Sequence, residues 1–196
     1  MIHTYIPYCP SDIDGGKNLG FAYNTFMRLI GEDDWACFLD HDAMFTTPDW
    51  YRQLESVIEK YPDAGELCVC TNRIGNLRQL HADPSVANFS HNHDMMLHRR
   101  IGAELQKQNY LEVIEYKKKE GRGLSGVVLL TSKRTWNLVG GFSDGFLGVD
   151  WDYTFRCANK GLKNYILRGV YVYHWYREKI ELCQGTFHHG TVTPEK

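Results

Sequence analysis

Short apolar runs alternate along this chain with stretches in which apolar residues recur at helical spacing. Ile2 to Tyr8 alternates and reads as a first strand, stopped by Pro7 and Pro10. Ser11-Asp12-Ile13-Asp14-Gly15-Gly16 is a loop by composition. From Lys17 to Ile30, the residues Leu19, Phe21, Ala22, Phe26, Leu29 and Ile30 outline one helical face. Trp35 to Leu39 is a second strand that runs directly into Asp40-His41-Asp42. Thr47-Pro48 then offers an N-cap with proline at the first helical position. Trp50, Leu54, Val57, Ile58 and Tyr61 follow at helical spacing as far as Pro62. Glu66 to Thr71 is a third strand, Asn72 to Asn92 a polar irregular stretch, and Met95 to Gln108 a helix followed by a basic linker. Gly126 to Thr131 reads as a fourth strand buried on both faces. Ser132 to Leu138 is a short helix ending at Gly140-Gly141, and Asp150 to Lys160 a helix with Gly161 beyond its end. Ile166-Leu167 and Val170 to Tyr173 are two further strands, the second running into His174. Strands alternating with helices predict an α/β fold, a single domain over residues 1–183 with a mainly parallel sheet flanked by helices. Residues 184–196 read as a flexible polar tail.

Composition narrows the function classes. At 43% apolar the chain can bury a real core, and a net charge of −2 provides no electrostatic footprint for nucleic acid. Lys117-Lys118-Lys119 is short and followed by Glu120, as in a solvated face. No apolar run approaches a membrane span and the start lacks a signal-peptide pattern, so the expectation is a soluble cytoplasmic protein. The 6 cysteines form no CxxC pair, and several fall inside apolar patterns, where they behave as small hydrophobes.

Candidate chemistry centres on the end of the second strand. Strand ends at the carboxyl edge of an open α/β sheet are where such folds bind ligands. Asp40 and Asp42 held there would repel each other unless a cation or hydrogen-bond donors lay between them. A hard divalent ion carrying an anionic substrate satisfies that demand. Asp-x-Asp alone is weak evidence, because about one is expected by chance at ordinary Asp frequency. Asp40 and Asp42 would equally serve to cap the following turn. Asp150 suits a helix N-terminus, and His174 suits a satisfied core position. Their co-occurrence at strand and helix ends gives them weight. His91, His93 and His98 read as polar surface, Gly121-Arg122-Gly123 as a flexible hinge, and the aromatic residues Trp136, Phe142, Phe146, Trp151, Trp175 and Tyr176 mostly as core. Trp151 and Trp175 could also wall a sugar site.

Phe38-Leu39-Asp40-His41-Asp42 resembles the Asp-x-Asp strand end of A-type-fold (GT-A) glycosyltransferases, especially the large family-two group. Val139-Gly140-Gly141-Phe142, Gly148-Val149-Asp150-Trp151-Asp152 and Val172-Tyr173-His174 are similar to that group's second half. There a Gly-Gly-Phe loop precedes an acidic helix start and a late strand ends in His. Gly20-Phe21-Ala22-Tyr23-Asn24 is similar to its Gly-x-Ala-x-Asn helix.

The resemblance implies a reduced GT-A-like fold and inverting transfer of a sugar from a nucleoside-diphosphate donor to a hydroxyl of a carbohydrate or other acceptor, with Mn²⁺ or Mg²⁺. Asp42 and His174 become metal ligands, and Asp40 a ligand or ribose contact. Asp150 becomes the general base. Tyr8, Asp12, Asn24, Asp40 and His41 fall on the donor side, and Gly141, Phe142, Trp151 and Asp152 on the acceptor side. Two departures stand out. Val149 replaces the usual Glu, and Tyr8 to Gly16 replaces about two elements that carry base recognition, leaving that task to Tyr8, Asp12 or Asp14. A nucleotidyltransferase, supported only by Gly15-Gly16-Lys17, and a non-catalytic carbohydrate-binding or scaffold protein are the other readings.

Overall fold

In the computed structural model, residues 1–7, 17–117 and 121–175 are described, together with the backbone of 187–188 and 191–192. The strands are β1 (Ile2–Tyr5), β2 (Trp35–Leu39), β3 (Ala43–Phe45), β4 (Ala64–Thr71), β5 (Val113–Tyr116), β6 (Val128–Ser132) and β7 (Lys163–His174). The helices are α1 (Leu19–Leu29), α2 (Trp50–Lys60), α3 (Met95–Asn109), α4 (Lys133–Val139) and α5 (Val149–Asn159). Phe187–His188 and Thr191–Val192 pair as a separate small ladder, inside the stretch expected to be a flexible tail.

The seven strands form one sheet in the order β1-β2-β6-β4-β7-β3, with β5 also on β7. The α/β class is as expected, but the sheet is mixed. β1 with β2 and β4 with β7 pair parallel; β2 with β6, β4 with β6, β3 with β7 and β5 with β7 pair antiparallel. The expectation of a mainly parallel sheet fails because β6 runs antiparallel to both of its neighbours, and because β3 and β5, too short to register as strands, add two more antiparallel pairs. They pair along the outer edge of β7.

Alternation along the strands sorts the core. Trp35, Cys37, Leu67 and Val69 face α2 on one side of the sheet. Ala36 and Phe38 face α1, α4 and α5 on the other, as do Cys68 and Cys70 beneath α3. Every residue of β4 is buried, as a central strand covered on both faces requires. Cys37, Cys68, Cys70 and Cys157 are buried and free. No helix among the described residues is long and apolar enough to cross a membrane.

Several boundaries differ from the pattern-based reading. The N-cap of α2 is Asp49 rather than Thr47, so Pro48 precedes the helix. α1 buries Tyr23 and Met27, whereas Phe21 and Leu29 of the expected apolar face are exposed. The two expected late strands are one strand, β7. Its pairing with β4 slips between Leu167 and Tyr171, so the residues facing α2 are Tyr165 and Leu167 before the slip and Val170 and Val172 after it. Gly169 sits in this irregularity, where a Cβ would come within 2.5 Å of the Asn109 carbonyl oxygen. Close packing demands glycine there. Beyond the slip, even-numbered residues keep the α2 side as far as His174.

Candidate active site

β2 delivers Asp40 to the upper edge of the sheet, where its N–H donates to the Val127 carbonyl at 3.1 Å. The chain turns at once: Ala43 N–H donates to the Asp40 carbonyl at 3.1 Å, with His41 exposed at the tip. β3 then runs antiparallel to β7 with Ala43 opposite His174, and Trp175 N–H donates to the Asp42 carbonyl at 2.9 Å. These backbone ties bring the two acids to the late histidine. His174 Nε2 lies 3.3 Å from Asp42 Oδ1 and 3.6 Å from Asp40 Oδ2. Among the described residues these three form the one cluster of metal-ligating side chains, with ligand atoms all within 4.8 Å of one another.

The histidine tautomer sharpens the site. His174 Nδ1 lies 2.9 Å from the Arg73 carbonyl oxygen. A carbonyl only accepts, so Nδ1 carries the proton and donates. The Nε2 of a neutral ring therefore turns its lone pair toward two carboxylates, an arrangement that calls for a proton or a cation between them. Imidazoles oriented by a backbone carbonyl in this way are typical of metal sites. Burial, reinforced by the charges of Asp42 and Asp150 and opposed by His174, pushes the Asp40 carboxyl up to about 6. Two carboxylates and one imidazole suit Mg²⁺ or Mn²⁺, with the nitrogen better tolerated by Mn²⁺.

Asp150 occupies the first turn of α5, and Gly148 before it has a φ of +78° that sets the helix entry. Asp150 Oδ2 accepts from Gly126 N–H at 2.8 Å, and Oδ1 accepts from Trp151 N–H at 2.9 Å. Burial raises its pKa above the ordinary carboxylate value, and these two donors pull the other way. The result is a fixed, half-buried carboxyl close enough to Asp40 to affect its ionisation. Trp151 beside it donates Nε1–H to Ser125 Oγ at 3.2 Å, and the Arg122 guanidinium lies 5.2 Å from the centre of its ring.

The Gly-Gly-Phe loop is clamped by α1. Asn24 Oδ1 accepts from Phe142 N–H and from Trp136 Nε1–H, both at 2.8 Å, and its Nδ2 donates to the Phe142 carbonyl at 2.8 Å. Asn24, expected on the donor side, thus braces the loop that leads into Asp150. Gly141 has a φ of +79°, and a Cβ there would sit 2.9 Å from Asn24 Oδ1. Phe142, expected to meet the acceptor, is a core residue instead. It is 4% exposed and stacks on Tyr153 at a 4.1 Å centroid distance. Its ring also packs edge-on against Tyr23 and Phe38. Asp152 pairs with Arg156 one turn along α5, at 2.8 Å. Asn24→Ala is expected to destabilise the protein by about 3 kcal/mol, roughly one per hydrogen bond lost. Urea denaturation measures this, and a loss under about 1 kcal/mol would contradict the clamp.

Other assignments change with the coordinates. Gly123 is buried, and a Cβ there would meet Trp151 Cα at 2.6 Å, so close packing rather than a hinge explains it. His98 is fully buried rather than on the surface. Its Nε2–H donates to the Asn92 carbonyl and its Nδ1 accepts from the Tyr171 hydroxyl, both at 2.8 Å, while burial lowers its pKa. His93 stacks on Trp175 at 4.1 Å and hydrogen-bonds the Tyr173 hydroxyl. Tyr8, Asp12, Asp14 and Tyr176 lie outside the described residues.

Two buried residues escaped the sequence reading. Gln79 Oε1 accepts from Ser125 N–H at 2.8 Å and its Nε2 donates back to the Ser125 carbonyl at 2.9 Å, fixing the segment before Gly126. Glu66 lies fully buried in β4, and burial raises its pKa well above the ordinary range, with the Asp150 charge adding to the effect. Neither residue sits in a motif, so composition alone could not mark them. Comparison with protein-family models finds none that matches this chain, and comparison with curated proteins finds no match either.

Proposed function

We propose that this chain is a metal-dependent, inverting glycosyltransferase of reduced GT-A-like architecture, moving a sugar from a nucleoside-diphosphate donor to an acceptor hydroxyl. The observation that carries this reading is the convergence of Asp40, Asp42 and His174 on one edge of the sheet with Asp150 beside them. Asp42 and His174 would hold Mn²⁺ or Mg²⁺, with Asp40 as a third ligand or a ribose contact. Bound there, the ion supplies Lewis-acid stabilisation for charge growing on the leaving pyrophosphate.

The chain's own residues perform the rest. Asp150 accepts the acceptor hydroxyl's proton on a carboxylate oxygen as that hydroxyl attacks the anomeric carbon. A single base and direct displacement invert the anomeric configuration. Gly126 and Trp151 N–H groups hold the carboxylate in position, so little reorganisation is needed when the proton arrives. Trp151 and Trp175 flank the centre as candidate walls for a sugar ring, and His41 is exposed on the donor side.

Isothermal titration calorimetry with Mn²⁺ and a panel of nucleoside di- and triphosphates tests the reading. Metal-dependent binding of at least one nucleoside diphosphate is the expected result. Absence of any nucleotide binding would favour a non-catalytic carbohydrate-binding protein, and preference for triphosphates would favour a nucleotidyltransferase.

A further inference from the structure

β4 and β7 run parallel, and their last paired residues are Thr71 and Val172. One step further along β7 the ladder should end, leaving the backbone of Tyr173 and His174 to other partners. Asn72 continues it with a side chain. Its Oδ1 accepts from His174 N–H at 2.8 Å, and its Nδ2 donates to the His174 carbonyl at 3.2 Å. One primary amide thus takes both backbone groups of a single residue, as a neighbouring peptide unit would. Asn72 is itself 1% exposed and is tied by the Thr71 hydroxyl, which donates to Oδ1 at 3.3 Å, and by Nδ2 donating to the Ser90 carbonyl at 3.4 Å.

This substitution of side chain for backbone has a consequence for the centre. With its amide supplying the pairing, the main chain at Asn72 is released to turn, and the next carbonyl, that of Arg73, reaches His174 Nδ1 at 2.9 Å. The same two-residue unit therefore fixes the backbone of His174 and its ring tautomer. We propose that Asn72 is a positioning residue for the metal centre, holding His174 so that Nε2 presents its lone pair between Asp40 and Asp42. The role rests on the metal-centre reading above. It acts through His174 and requires no contact with the ion.

Mn²⁺ titration by calorimetry, at a temperature where every variant is folded by circular dichroism, tests it. Asn72→Ala is expected to weaken Mn²⁺ binding about 10- to 100-fold, the range for losing an outer hydrogen-bond partner of a metal ligand. Gln53→Ala serves as control. Its amide also braces β7, donating to the Gly169 carbonyl at 3.2 Å from a fully buried position far from the centre, so it should lower stability and leave Mn²⁺ affinity unchanged. Equal Mn²⁺ affinity in Asn72→Ala and wild type, or equal losses in both variants, would overturn the positioning role. Failure of wild type to bind Mn²⁺ would overturn the metal reading instead. A second measurement needs no variant. ¹⁵N-edited NMR of the neutral His174 ring in the metal-free wild type should show the proton at Nδ1, and an Nε2–H tautomer would refute the proposal even if Asn72→Ala does not fold.

Discussion

Asp150→Asn should reduce sugar transfer by about 10²- to 10⁴-fold, the worth of a positioned general base, while leaving Mn²⁺ and nucleoside-diphosphate binding intact. Asparagine keeps the shape and can still accept a hydrogen bond from Gly126 or Trp151 N–H, so the turn into α5 should survive. It cannot take a proton from a hydroxyl. The substitution also removes a negative charge that raises the Asp40 pKa, so Mn²⁺ binding should persist to slightly lower pH rather than weaken. Because burial raises the Asp150 pKa and only the carboxylate is a base, the acid limb of the wild-type rate profile should be displaced upward from the ordinary Asp value of 3.8. Single-turnover transfer assays read the rate directly. Full turnover in the variant would remove Asp150 from the role of base.

Mn²⁺ at about 100 times its dissociation constant should stabilise the folded chain by about 2.7 kcal/mol, or roughly 5–10 °C in Tm for a domain of this size. Asp42→Ala should abolish the gain. His174→Ala should abolish it too, with an added loss of stability because that ring is 5% exposed. The pH dependence has a definite sign. The Asp40 carboxyl sits at about 6 in the fold against an ordinary 3.8, so between those values the folded state binds more protons than the unfolded one. The Asp40 contribution to metal-free stability is therefore full below 3.8 and is lost as pH rises through about 6. Ion binding needs the ionised carboxylate, so the Mn²⁺-dependent gain in Tm should grow across that same window. Differential scanning fluorimetry on either side of about pH 6, with Mn²⁺ or EDTA, measures both trends. A Tm gain that survives in Asp42→Ala, or ignores pH, would place the ion elsewhere.

The sequence made the long, periodic elements and the positions of the two acids and the histidine of the cluster legible, for a common reason. Trp35–Leu39 and the stretch up to Tyr173 are apolar runs that stop at a charged or imidazole side chain. What stayed hidden depends on partners far along the chain. β3 and β5 are strands of three and four residues that exist because β7 offers an edge, and no local pattern encodes that edge. Phe142 and Asn24 sit in a motif-like loop, yet one fills the core and the other clamps the loop, roles that only packing assigns. Arg168-Gly169 looked like a boundary between two strands because it breaks the alternation within one.

That break bears on how such a centre could arise or vanish. Every side chain after it is turned over relative to the strand's first half, so Tyr171 and Tyr173 face the His98 side while His174 faces the acids. Straightening the slip without changing the length of the strand would restore unbroken alternation, sending His174 toward α3 and a tyrosine toward Asp40 and Asp42. The phase of one strand, rather than the identity of any one side chain, thus acts as a frame in which the two acids and the histidine coincide. A one-residue change of length between the slip and His174 would likewise carry the histidine away from the acids, with all three side chains still present in the sequence.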